Sequence, residues 1–114
     1  MAVKTTLPPF VRGDTWIQKV TITGEDITGW TFWLTLKLDP TATDVNADAQ
    51  VSVVASGADA AAGIVYITFT AGDTEDLLPT TYNYDIQYLD LAGAVQTLTY
   101  GTVTVIQDIT RSRV

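Results

Sequence analysis

Hydrophobic and polar positions alternate with a period of two through most of this chain. Trp16, Val20 and Ile22 fall in one phase and Ile17, Lys19 and Thr21 in the other. Successive side chains of a strand point to opposite faces, so this spacing predicts a half-buried strand. After a turn at residues 24–29 the alternation resumes over residues 30–39, with Trp30, Phe32, Leu34, Leu36 and Leu38 on one face. Thr31, Trp33, Thr35, Lys37 and Asp39 share the other face. The first set is expected against a core, which leaves Trp33 pointing outward.

Asp39-Pro40 stops that strand, residues 40–49 read as a polar loop, and a short strand is expected at 51–55. The Ala- and Gly-rich residues 56–63 read as a turn or open loop. Residues 63–70 then form a strand with Val65, Ile67 and Phe69 on one face. One short helical turn is predicted near 73–78, capped by Asp73 and pinned by Leu77 and Leu78 ahead of Pro79. Residues 81–90 set Tyr82, Tyr84, Ile86 and Tyr88 against Asn83, Asp85 and Gln87, and residues 91–94 turn the chain into a final hairpin strand. The tyrosines are expected in the core or at an edge, with hydroxyls reaching solvent. In the last strand Leu98 and Tyr100 are out of phase with Val103 and Val105, and a bulge at Gly101 would bring them to one face.

These elements predict an all-β fold: a single immunoglobulin-like antiparallel β-sandwich of about six to eight strands. It would occupy residues 1–114 as one domain, with an N-terminal arm at 1–10 and a C-terminal tail at 107–114. Trp16, Trp30, Phe32, Leu34, Leu36, Val65, Ile67, Phe69, Ile86 and Val103 are the expected core. Composition agrees, because twenty Thr against three Ser favours the β-branched side chain that suits a pleated surface and crowds a helix.

Charge and residue usage narrow the function. The chain has no Cys and no His, which removes disulfides, thiol catalysis, imidazole zinc sites and Ser-His-Asp chemistry. Its net charge of −7 repels phosphate backbones and anionic headgroups, so neither nucleic acid nor a membrane surface is an expected partner. No phosphate-cradling glycine loop is present, and the carboxylates fall mainly at turns, as a solvated rim would place them. No enzyme, cofactor or small-molecule substrate is expected.

Two motifs have a functional and a plain reading. Arg12-Gly13-Asp14 spells an integrin-binding tripeptide, but it also suits the turn before the first long strand. Asp44, Asn46 and Asp48 match the start of a calcium loop, which then fails: Ala49 stands where the turn wants Gly and Ala55 where a bidentate Glu should close the sphere. Trp33 is the most informative single residue. It could meet a partner, together with Thr31, Thr35 and Phe10, or be covered by the arm carrying Leu7, Pro8, Pro9 and Phe10, or offer a stacking platform for sugar.

Four phrases resemble a known family. They are Arg12-Gly13-Asp14-Thr15, the run from Asp26 to Phe32 reading DITGWTF, Tyr84-Asp85-Ile86-Gln87, and Gly101-Thr102-Val103-Thr104-Val105 followed by Asp108-Ile109-Thr110-Arg111. In order and spacing they resemble the immunoglobulin-like N-terminal domain of phage baseplate upper proteins and related tail-associated virion proteins. That resemblance implies a non-enzymatic structural or assembly module, made in the bacterial host cytoplasm without a signal peptide and carried in the virion. It would dock to tail, baseplate or head proteins, or to copies of itself, through sheet edges, termini and an outward aromatic. In the family this domain heads a longer chain, whereas the present sequence ends at Val114. The alternative is a module that binds a host-surface glycan.

With no thiolate or imidazole and an incomplete calcium loop, the fold is expected to need no metal. EDTA should leave the melting temperature unchanged, and calcium should not raise it; thermal unfolding followed by circular dichroism checks this.

Overall fold

The computed structural model describes residues 3–39 and 48–108. Eight strands and two short helices follow one another: β1 (Val3–Lys4), β2 (Phe10–Val11), β3 (Trp16–Thr21), β4 (Thr31–Lys37), β5 (Ala49–Val54), α1 (Gly57–Ala61), β6 (Ile64–Phe69), α2 (Ala71–Thr74), β7 (Thr81–Leu89) and β8 (Val95–Ile106). One sheet runs β1-β8-β7-β4-β5, with β2 also on β8, and β3 pairs with β6 alone in a second sheet. The long pairs are antiparallel, whereas β1 and β2 run parallel to β8.

The predicted phases hold in the core. Phe32, Leu34, Leu36, Val65, Ile67, Phe69, Ile86 and Val103 are buried between the sheets, joined by Val20, Ile27, Val105, Leu7 and Phe10. Trp16 and Trp30 are only partly buried and pack at the core's margins. Each extends an aromatic stack: Phe10, Trp16 and Phe69 lie at centroid spacings of 4.3 and 5.6 Å, and Trp30 lies 5.0 Å from Tyr88. Leu38 departs from the inward set and is exposed, because β4 ends at Lys37 and the pleat no longer dictates its direction.

Tyr82 accepts the Leu78 N–H at 2.7 Å and donates to the Leu78 carbonyl at 3.0 Å. Tyr84 donates to the Thr5 carbonyl at 2.8 Å. Tyr82 and Tyr84 are therefore core residues as expected, but their hydroxyls bond to backbone of Leu78 and Thr5 rather than reaching solvent. Burial pushes the Tyr82 hydroxyl above its ordinary value, which keeps its proton available for Leu78. A tyrosine near the start of this strand, bonded to backbone a few residues upstream, is the tyrosine corner of immunoglobulin-like domains. The β5-β4-β7-β8 sheet facing β3-β6 has the strand order of that class.

Three local expectations are corrected. The bulge lies at Leu98, not Gly101, because the pairing steps from Ile86↔Thr99 to Gln87↔Thr97 while Gly101 sits in register opposite Tyr84. Leu98 thus packs toward the core and Tyr100 lies exposed on the outer face. Residues 57–61 form α1, where an open turn was expected. The local signal is Ser56 ahead of an Ala-rich run and Gly63, whose φ of 84° suits the residue that closes a helix. The second helix begins earlier than predicted: Thr70 is its N-cap, and Asp73 sits three residues in as the reciprocal partner of a capping box.

The arm is fixed by the glycine at 101. The Thr5 N–H donates to the Tyr100 carbonyl at 2.8 Å, and the Leu7 N–H to the Thr102 carbonyl at 3.0 Å. This course carries the Thr5 backbone through the space a Cβ on Gly101 would fill. Pro8 and Pro9 have no N–H to donate, so the parallel ladder lapses between β1 and β2.

Two substitutions test this account. Leu34→Ala should cost about 2–5 kcal/mol in urea unfolding, since Leu34 is fully buried. Gly101→Ala should displace the arm while sparing the β4–β7 pairing, and hydrogen exchange should show lost protection at the Thr5 and Leu7 amides with the β4 amides still protected.

Candidate functional site

The outer face of the larger sheet carries the residues the sequence singled out. Strand register aligns Ser52, Trp33, Gln87 and Thr97 in one row across β5, β4, β7 and β8. The next row holds Gln50, Thr35, Asp85 and Tyr100, and Lys37 pairs with Asn83 beyond it. In the other direction the row of Val54, Thr31, Leu89 and Val95 is apolar, and Val54 and Val95 are exposed.

Trp33 therefore sits where an apolar row meets polar ones, partly buried by its sheet neighbours. A shallow hollow of about 410 Å³ lies beside it, bounded by Thr35, Lys37, Gln50, Asp85, Gln87 and Val95. A second hollow, of about 210 Å³, continues across Asp85 to Asn83 and Tyr100. The Gln50 amide donates to Thr35 Oγ1 at 2.9 Å and the Gln87 amide to Thr97 Oγ1 at 3.3 Å. These bonds hold the amides flat on the sheet, so the floor is preformed.

The four expected surface residues do not stay together. Thr31 and Trp33 contribute to the outer face, and Thr35 lies in its floor, buried beneath the Gln50 amide. Phe10 is a correction: it is buried and stacked on Trp16, on the core side of the molecule. The arm does not cover Trp33 either. It pairs along β8, at the sheet edge two strands away from β4, and turns Leu7 and Phe10 inward.

Arg12-Gly13-Asp14 is an architectural turn. Arg12 is buried, with Nε 3.0 Å from Asp108 Oδ1 and Nη1 donating to the Leu77 carbonyl at 3.4 Å. Gly13, at φ 86°, donates its N–H to Thr74 Oγ1, and that buried hydroxyl donates to the Asp14 carbonyl at 2.8 Å. An integrin-type loop tip needs an exposed Arg, which this position does not offer.

The calcium-loop reading falls mainly on Asp44 and Asn46, outside the described residues. Asp48, its third member, accepts the Leu38 N–H at 2.7 Å through Oδ2 and so serves the strand end. Asp26 is likewise a turn residue: the Thr28 hydroxyl and N–H both donate to it and hold its carboxyl below the usual range. Among the described residues no group of three or more acidic, His or Cys side chains is placed to hold a metal.

Comparison with known proteins assigns neither a family nor a function to this chain. No known family matches the chain, and no curated protein is detectably similar to it. Among solved structures it is similar to the extracellular portion of mouse CD200RLa, with 8% identity and a TM-score of 0.49. The alignment covers 92% of this chain and 57% of that one. The strand order and the tyrosine corner make the protein a mainly β, immunoglobulin-like domain.

Sequence reasoning missed Tyr100 and Gln50 as parts of this face. Tyr100 had been read in phase with Leu98, and the bulge at Leu98 reverses that. Gln50 gains its place only through pairing with Thr35 across β4–β5.

Proposed function

We propose that this domain is a non-enzymatic docking module of a phage or prophage particle, one that binds neighbouring tail, baseplate or head proteins through the outer face of its larger sheet. The observation that carries the reading is Trp33, which stands outward between an apolar row and a polar floor while the arm that could have covered it is committed to β8. An aromatic anchor beside exposed valines and rimmed by amides and charges is the usual composition of a protein-binding surface. The phage assignment rests on the four sequence phrases. Most of their residues hold turns and strands in place, so the phrases speak for a shared scaffold, and the docking face lies elsewhere on it.

A second reading has its own support. The two hollows, one at Trp33 and Gln87 and one at Tyr100 and Asn83, share Thr35, Lys37 and Asp85, and together they combine aromatic faces with carboxylate and amide groups, the chemistry a sugar ring uses. They are open and shallow, which favours an extended or macromolecular ligand over a small enclosed one.

The ligand bound by the wild type separates these readings, and Trp33→Ala tests whether the outer face binds it. Capture of purified particle proteins should weaken by about 2 kcal/mol or more, roughly thirtyfold in Kd, with the melting temperature little changed. Wild-type protein that captures none of them, yet binds host polysaccharide and loses it on Trp33→Ala, establishes the glycan reading instead.

A further inference from the structure

The sheets of this domain end in four strand edges, and three of them are obstructed. The arm beside β8 carries Pro8 and Pro9, which cannot donate to a further strand. The free side of β3 presents Lys19, a charge that opposes edge pairing. Beside β6 lie α1 and α2, which pack against it.

The outer edge of β5 differs. Residues 49–55 read Ala-Gln-Val-Ser-Val-Val-Ala, with no charge, no proline and no glycine. Among the described residues no strand is hydrogen-bonded to its far side. Val51 and Val53 face inward and pack against the core but are only partly buried.

The backbone phase of this edge can be read from β4. The Trp30 and Leu36 carbonyls both accept bonds from the β5 side, so the even-numbered residues of β4 point their backbone groups toward β5. In the register Phe32↔Val53 and Leu34↔Val51, the odd-numbered residues of β5 answer them. The N–H and C=O groups of Gln50, Ser52 and Val54 therefore point to the open edge.

We propose that β5 pairs antiparallel with β5 of a second copy about a twofold axis through Ser52, joining two domains into one continuous sheet. In that register Ser52 faces Ser52 of the other copy, Gln50 faces Val54, and each forms a hydrogen-bonded pair. Val51 and Val53 then meet across the non-bonded positions on the inner face, where side chains approach closest. No residue of the seam meets a like charge. For two chains of net charge −7, that makes an uncharged, self-complementary edge the place where copies can approach. The seam leaves the Trp33 face open, so the proposal stands independently of the docking function.

The chain has no cysteine, so a single introduced one reports the register. Sedimentation velocity and light scattering of the wild type should give twice the 12.3 kDa chain mass as concentration rises. Ser52→Lys, at an exposed outer-face position, should be monomeric at every concentration with an unchanged circular dichroism spectrum. On mild oxidation Ser52→Cys should crosslink at least about tenfold faster than Gln50→Cys, because only residue 52 meets its own copy within disulfide reach. Wild-type protein that stays monomeric overturns the proposal, as does a dimer in which the two cysteine variants crosslink equally. Trp33→Ala should dimerise as the wild type does, so failure of the dimer leaves the docking reading to its own test.

Discussion

The close approach of the Thr5 backbone to Gly101 is the contact on which much of the architecture depends. A side chain at 101 would occupy the path of the arm, and without the arm β8 would be an open edge. Because the arm lies there, Leu7 and Phe10 enter the core, Phe10 stacks on Trp16, and Tyr84 finds the Thr5 carbonyl for its hydroxyl. The chain then reaches the Arg12 turn, where a buried ion pair to Asp108 ties the start of the fold to the end of its last strand. A buried pair of this kind adds little net stability, but removing one partner strands the other charge, so it fixes the chain's course.

The same placement has a cost on the opposite sheet. An arm committed to β8 cannot pair with β3, and the second sheet is left with two strands. The inward valines of β5, Val51 and Val53, remain only partly buried at the end of the wider sheet. In the absence of a disulfide, cohesion between the layers comes from the apolar contacts of Val20, Ile67, Phe32, Leu34 and Ile86, together with the aromatic stacks at the margins. The molecule is thus well packed in the middle and keeps its accessible apolar surface at one face and one edge.

Function follows from what the scaffold leaves available. Among the described residues no group of acidic, His or Cys side chains is placed to hold a metal, and Asp26, Asp48 and Asp73 serve a turn, a strand end and a helix cap. The broad outer sheet is flat, graded from apolar to polar, and centred on Trp33. Such a surface can recognise a partner without changing it, and a rigid sheet offers that partner a preformed floor at little entropic expense.

The period-two pattern by itself determined the long strands, most of their inward faces and the outward phase of Trp33, because burying one side of a pleated strand leaves a direct imprint on which positions are apolar. The Tyr82–Tyr84–Ile86 and Phe32–Leu34–Leu36 sets were legible for that reason. What the pattern does not record is pairing between distant segments. The course of residues 3–12 along β8, the burial of Phe10 and Arg12, and the displacement of the bulge to Leu98 all came from long-range hydrogen bonding. So did the assembly of Gln50, Asp85 and Tyr100 around Trp33. Each depends on a partner elsewhere in the chain, from the hairpin partners Gln87 and Thr97 to Arg12 and Asp108 at opposite ends, and local alternation carries no information about such a partner. Backbone groups must be paired once they are buried, but which segment pairs them is decided only when the sheets close.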